Sequence, residues 1–142
     1  MSIFLPELPG ARVLDLFAGS GALGLEALSR GAAFVDFVEQ DARSVRTLHE
    51  NIALLGAAAR CAIHRADAVA WATSPARAGA GRPDVAFADP PYRQGLALAL
   101  AEHWLAAPFA AIFGVEHEAK VPLPAGGDTR RYGDTAITIF RT

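Results

Sequence analysis

Three stretches of this sequence carry residues whose chemistry exceeds what a folded core needs. In VAFADPPYR, residues 85–93, an apolar run ends on Asp89, Pro90 and Pro91, with Tyr92 immediately after. Neither proline donates a ladder hydrogen bond and each fixes its own φ at about −65°, so a central strand must stop at Asp89. Pro90 also keeps Asp89 extended, which leaves the Asp89 carboxylate and the neighbouring carbonyls facing outward as rigid acceptors. Such acceptors are available to a ligand. Standing alone, the segment is as well explained as a strand terminator with a capping acid. The second stretch, Gly19 to Gly24, satisfies G-x-G-x-x-G, and the third supplies Glu39 about 20 residues further on. Glycines so placed form a tight turn before a helix, and a carboxylate at that spacing accepts hydrogen bonds from ribose hydroxyls.

The elements that must position these residues read clearly from the sequence. A buried strand is expected over 11–17 and a helix over 20–31, opened by Ser20 as its cap and closed by Gly31. A second strand covers 32–40. An amphipathic helix follows over 41–56, with Asp41 at its N-cap and Gly56 at its end. A strand near 60–65, a short helix near 67–73 and a Gly/Pro/Ala-rich loop over 74–83 come next. Then come a strand over 84–89, a helix over about 94–105 and a strand over 109–116. The last stretch, 129–142, holds two β-like runs around Gly133-Asp134, a hairpin signal. With no internal repeat or linker, residues 1–142 form one domain. Alternating strands and helices predict an α/β fold: a doubly wound, mostly parallel sheet with helices on both faces and a C-terminal antiparallel hairpin at one edge. Ligands of such sheets bind beyond the carboxyl ends of the strands. That puts Asp15 to Gly21, Glu39, Asp67 and the segment from Asp89 to Tyr92 along one rim.

Asp15 decides which nucleotide-like ligand the rim suits. The glycine fingerprint raises a dinucleotide such as NAD, but a carboxylate just before the turn opposes a pyrophosphate. S-adenosyl-L-methionine carries a sulfonium and an α-ammonium and no phosphate, so Asp15 favours it, and Glu39 serves the ribose of either cofactor.

At the level of whole motifs, VLDLFAGSGALGLEALSRG, FVEQD, NIALLG, RADA, FADPPY, GVEHE and RYGDTAITIF resemble the class I, Rossmann-like methyltransferases of the RsmD type. These are ribosomal RNA small-subunit guanine-N2 methyltransferases, and the resemblance runs in order from about residue 8 to 141. It implies that Asp15, Gly19 and Gly21 hold the methionine end of S-adenosyl-L-methionine, Glu39 the ribose, and Asp67 with Ala68 the adenine edge, with Phe17 and Ser20 also binding the cofactor. Asp89, Pro90 and Tyr92 are then the catalytic group. The carboxylate and the Pro90 carbonyl accept from an exocyclic base amine, while Tyr92 stacks on the base once it is turned out, a contact worth roughly 1–3 kcal/mol. Two alternatives stay open: D-P-P-Y also serves adenine-N6 transfer to DNA or RNA, and a cofactor-binding domain without catalysis fits the same sheet. Members of the family carry a basic segment before the first strand, and here about ten residues precede it. The expectation is of a truncated or divergent chain that binds cofactor and methylates RNA poorly.

Composition bounds the rest. At 142 residues, 52% hydrophobic and 20% charged, the chain has ample material for a core. Its net charge of −2 gives no electrostatic case for nucleic acid, although all its basic residues but Lys120 are arginine. Cys61 has no sulfur partner, is expected in a buried strand and fits a reducing compartment. Residues 1–10 lack the pattern of a secretory leader, so a cytoplasmic monomer without metal or membrane contact is expected, with ribosomal RNA or the partly assembled small subunit as partner. His49 and His64 are expected to have no functional role, and Trp104 and Tyr132 to pack. Glu116, His117 and Glu118 read as end-of-strand solvation, and Arg93 is a candidate phosphate contact.

Overall fold

The computed structural model of the chain describes residues 5–74, 81–92 and 95–142. Seven strands form one sheet: β1 (Arg12–Leu16), β2 (Phe34–Val38), β3 (Cys61–His64), β4 (Val85–Ala88), β5 (Ile112–Glu118), β6 (Asp128–Tyr132) and β7 (Thr135–Arg141). Their order is β3-β2-β1-β4-β5-β7-β6. The first five positions run parallel, and β7 then pairs antiparallel with both β5 and β6. This is the doubly wound sheet with an antiparallel edge that the sequence predicts. The chain moves outward from β1 to β3 and then resumes on the other side of β1 with β4. The reversal opens a crevice above the carboxyl ends of β1 and β4.

Helices α1 (Ala22–Ser29), α2 (Ala42–Leu54), α3 (Ala68–Thr73) and α4 (Leu96–Ala106) connect the strands. Two apolar clusters, one on each face of the sheet, follow the period-two alternation of the strands. Val13, Val35, Phe37, Val85 and Phe87 pack with Leu28, Leu48 and Ile52 of α1 and α2. Leu14, Leu16, Ala86, Ala88 and Phe113 pack on the opposite face with Ala72, Leu100 and Trp104 of α3 and α4. Gly24 permits the first of these contacts, because a Cβ there would collide with the Phe37 ring at Cε1. No described helix is long and apolar enough to cross a membrane.

Several sequence expectations need correction. α1 begins at Ala22, not Ser20; its cap is Gly21, left-handed at φ 89°, with no side-chain cap bond. Ser20 is exposed and its carbonyl instead accepts from Asn51 Nδ2 at 2.9 Å. The fifth strand starts later than expected, at Ile112, and runs on to Glu118, because β7 continues pairing to Glu118↔Thr135 beyond the end of β4. Cys61 is half-buried at the start of β3 rather than inside the core. Tyr132 is 59% exposed on the edge strand and does not pack, whereas Trp104 is buried and donates to the Ala110 carbonyl at 2.9 Å. Asp41 and Asp67 cap α2 and α3 by accepting from the Ser44 and Ala70 amides.

Candidate active site

A cleft of about 620 Å³ opens above the carboxyl ends of β1, β2 and β4. Its wall includes Phe17, Glu39, Asp67, Ala68, Asp89, Pro90 and Tyr92, seven of the residues singled out from sequence. Asp15, Gly19, Ser20 and Gly21 do not line it. The glycine loop is fastened to it through Glu39, whose Oε1 accepts from the Gly19 amide at 2.8 Å and whose Oε2 accepts from the Asp41 amide at 2.9 Å. Each carboxylate oxygen keeps a free lone pair for a ligand. Phe17 sits at φ 59°, a conformation costly for a bulky side chain, and its strain lies where the chain turns from β1 into the loop.

Asp15 is 1% exposed. Its Oδ2 accepts from the Gly24 amide at 3.0 Å, while Oδ1 is buried without a hydrogen-bond partner. Burial pushes the Asp15 carboxyl up to about 7; the Gly24 bond acts against this, and the charges of Asp89 and Glu39 add to it. An unpartnered buried carboxylate oxygen is unfavourable unless a donor or cation reaches it.

Glu116 is the wall residue that sequence reasoning missed. Its carboxyl is hydrogen-bonded to Asp89, and burial together with that bond and the Asp89 charge raises it to about 7. Its Oε2 lies 3.5 Å from the Tyr92 hydroxyl, which is also 3.0 Å from Thr135 Oγ1. The signal was in the register: Ala88 pairs with Val115, so the next step along both strands brings Asp89 and Glu116 side by side. Five acids, Glu39, Asp41, Asp67, Asp89 and Glu116, border the cleft, and no lysine, arginine or histidine does so among the described residues.

The histidines divide. His117 points away from the cleft, buried, with Nε2 2.8 Å from Thr138 Oγ1 and Nδ1 near the Glu118 and Val121 carbonyls. His64, for which no function was expected, is structural: Nε2 meets Asp36 Oδ1 at 2.9 Å and the ring stacks on Trp71. Asp36 also takes Arg12 at 3.2 Å. Arg93 lies outside the described residues.

The family described as conserved hypothetical protein 95 matches residues 1–141. Ribosomal RNA small subunit methyltransferase D of Haemophilus influenzae is 35% identical over 147 residues, covering 96% of this chain and 73% of that protein. Its Escherichia coli namesake is 41% identical over 92 residues, 64% of this chain and 43% of that protein, so the match spans less than half of the latter's length. Among solved structures, a hypothetical protein of Thermus thermophilus superposes with a TM-score of 0.81 at 36% identity, covering 93% of this chain and 75% of that one. Chain-long agreement with the family and with relatives above 30% identity joins the fold and the D-P-P-Y cleft in one conclusion: this chain belongs to the conserved hypothetical protein 95 family, the RsmD-type class I methyltransferases.

Proposed function

We propose that the chain transfers a methyl group from S-adenosyl-L-methionine to the exocyclic N2 amine of a guanine in 16S ribosomal RNA. The observation that carries this reading is the acid-lined cleft at the strand reversal, with D-P-P-Y on its wall. The residues present fit the cofactor. Asp15 Oδ1 lacks a partner, and five carboxyl groups, with no lysine, arginine or histidine beside them among the described residues, suit a sulfonium and an ammonium while repelling a pyrophosphate. When bound, the cofactor supplies an electrophilic methyl group. The buried Asp15 charge beneath the loop would favour its charged end, Phe17 and the loop at Gly19, Ser20 and Gly21 would enclose that end, Glu39 would accept from the ribose, and Asp67 with Ala68 would border the adenine.

The chain's own contribution to transfer is acceptor placement. The guanine amine lone pair is delocalised into the ring, so its N–H bonds must be polarised for nitrogen to bond to carbon. Asp89 and the Pro90 carbonyl are the acceptors, and the proton released from nitrogen passes toward Asp89. Two consecutive prolines hold them rigid, so little reorganisation accompanies reaction. Tyr92, tethered through its hydroxyl to Thr135, presents its ring for stacking. The protein would act as a cytoplasmic monomer on the RNA itself or on a partly assembled small subunit. Mass spectrometry of nucleosides after incubation with labelled cofactor tests the reading.

A path for the RNA along β6 is supported by the strand's exposure along its whole length and by its Arg130, Arg131 and Tyr132. Tyr132 pairs with Thr135, and Thr135 meets Tyr92, so this strand runs outward from the rim of the cleft. Replacing both arginines with alanine should weaken RNA binding and lower the magnitude of the log K against log salt slope by about 1–2, since each phosphate contact contributes roughly 0.7–0.9. Binding measured across a salt series checks this, and an unchanged slope would remove β6 from the RNA path.

A further inference from the structure

Glu116 stands on the cleft wall beside D-P-P-Y, and nothing in the fold requires a carboxyl there. Its backbone is satisfied by β7, opposite Ile137, and its neighbour His117 serves packing on the other face. The side chain is half-buried, joined to Asp89, and close to the Tyr92 hydroxyl that Thr135 pins. Two carboxyls in hydrogen-bond contact must share a proton unless donors arrive to take up the second charge. Such a pair is the complement of a ligand edge with two adjacent donors.

We propose that Glu116 reads the Watson–Crick edge of the target guanine, accepting its N1–H while Asp89 and the Pro90 carbonyl accept from the N2 amine. The inference rests on the methyltransferase reading and names the group that sets its base specificity. Guanine offers N1–H and the N2 amine side by side, two donors for two carboxylates. Adenine offers an N1 lone pair beside its N6 amine, which an ionised Glu116 repels. The wrong base therefore leaves a carboxylate facing a lone pair, a stronger rejection than a missing contact. Arrival of guanine lets the shared proton leave, so the ionised form of Glu116 is the competent one. Among the described residues, the titratable groups facing it are Asp89 and Tyr92; Asp15, which titrates in the same range, lies beneath the glycine loop and would act on the cofactor.

The test is Glu116→Gln, whose amide keeps the shape and the hydrogen bond to Asp89 but cannot ionise. Single-turnover transfer to 16S ribosomal RNA lacking its methyl groups is measured at saturating cofactor from about pH 6 to 9, with products read as nucleosides. The parent rate should rise with pH through about 7 and then level, as Glu116 ionises. The variant should form N2-methylguanosine about ten- to a hundredfold more slowly, the loss expected for one charge-assisted base-edge contact. Its pH rise should be flattened, its share of adenine product increased, and its calorimetric affinity for S-adenosylhomocysteine kept within about twofold. A variant matching the active parent in rate, base choice and pH profile overturns the role of Glu116 alone. Loss of rate together with cofactor affinity also overturns it, because Glu116 would then serve the cofactor or the fold. A parent that forms no N2-methylguanosine overturns the activity reading itself.

Discussion

Asp89→Ala should slow methyl transfer by about two to three orders of magnitude while leaving affinity for S-adenosylmethionine within a few fold. The magnitude is that of removing one preorganised acceptor or donor aimed at charge that develops in a transition state. Asp89 is placed for this by the prolines: β4 ends at Ala88, and the carboxyl that follows is exposed on the wall of the cleft. Tyr92→Ala should produce a smaller fall, roughly five- to a hundredfold, corresponding to the loss of one stacked base. Single-turnover rates on a competent RNA, with cofactor affinity measured in parallel, give both numbers. Parental rates in both variants would reduce D-P-P-Y to a strand terminator.

The second large effect concerns Asp15, whose burial sets up a pH-dependent grip on the cofactor. In the free protein its carboxyl titrates at about 7, well above the ordinary carboxylate range. A cationic ligand favours the ionised form, so binding should release a proton below that value, and affinity should rise with pH to a plateau above about 7. Asp15→Asn should bind S-adenosylmethionine at least about tenfold more weakly at pH 8 and lose the pH dependence. The same shift affects folding with the opposite sign. Between the ordinary carboxylate value and about 7 the native state holds a proton that the unfolded chain has released, so stability falls as pH rises through that window. The asparagine variant should therefore lose cofactor affinity while its denaturation midpoint becomes less sensitive to pH. Calorimetry in buffers of different ionisation heat measures the released proton directly. Equal affinity in variant and parent would show that Asp15 serves the Gly24 amide alone.

Sequence signals were strongest where a residue has one physical option. Pro90 and Pro91 end β4, Asp41 caps α2, and Gly133-Asp134 turns β6 into β7, each as the sequence indicates. Those fixed points mark where elements begin and end, and the rim they define carries seven of the residues that line the cleft. What was hidden depended on three-dimensional offset. Asp15 reads as a rim residue because it closes a strand, yet alternation puts it on the Val13 face, beneath the loop and against Gly24. Glu116 looks like ordinary polar solvation until the register of β4 and β5 sets it beside Asp89. Tyr132 resembles a packing residue, but β6 is the last strand of the sheet and has nothing beyond it to cover the ring. Ser20 lost its cap position to Gly21, since only a residue without a Cβ easily takes the left-handed turn under Leu48, whose Cδ1 occupies the space a Cβ would need.

Transfer of a methyl group onto a guanine N2 amine in this cleft is identified by its product. Ribosomal RNA from cells unable to methylate their small subunit, incubated with the chain and deuteromethyl-labelled S-adenosylmethionine, then digested to nucleosides and analysed by mass spectrometry, should show the label in N2-methylguanosine and lose it with Asp89→Ala. Label recovered in N6-methyladenosine, or no label in RNA despite measured cofactor binding, would contradict the account.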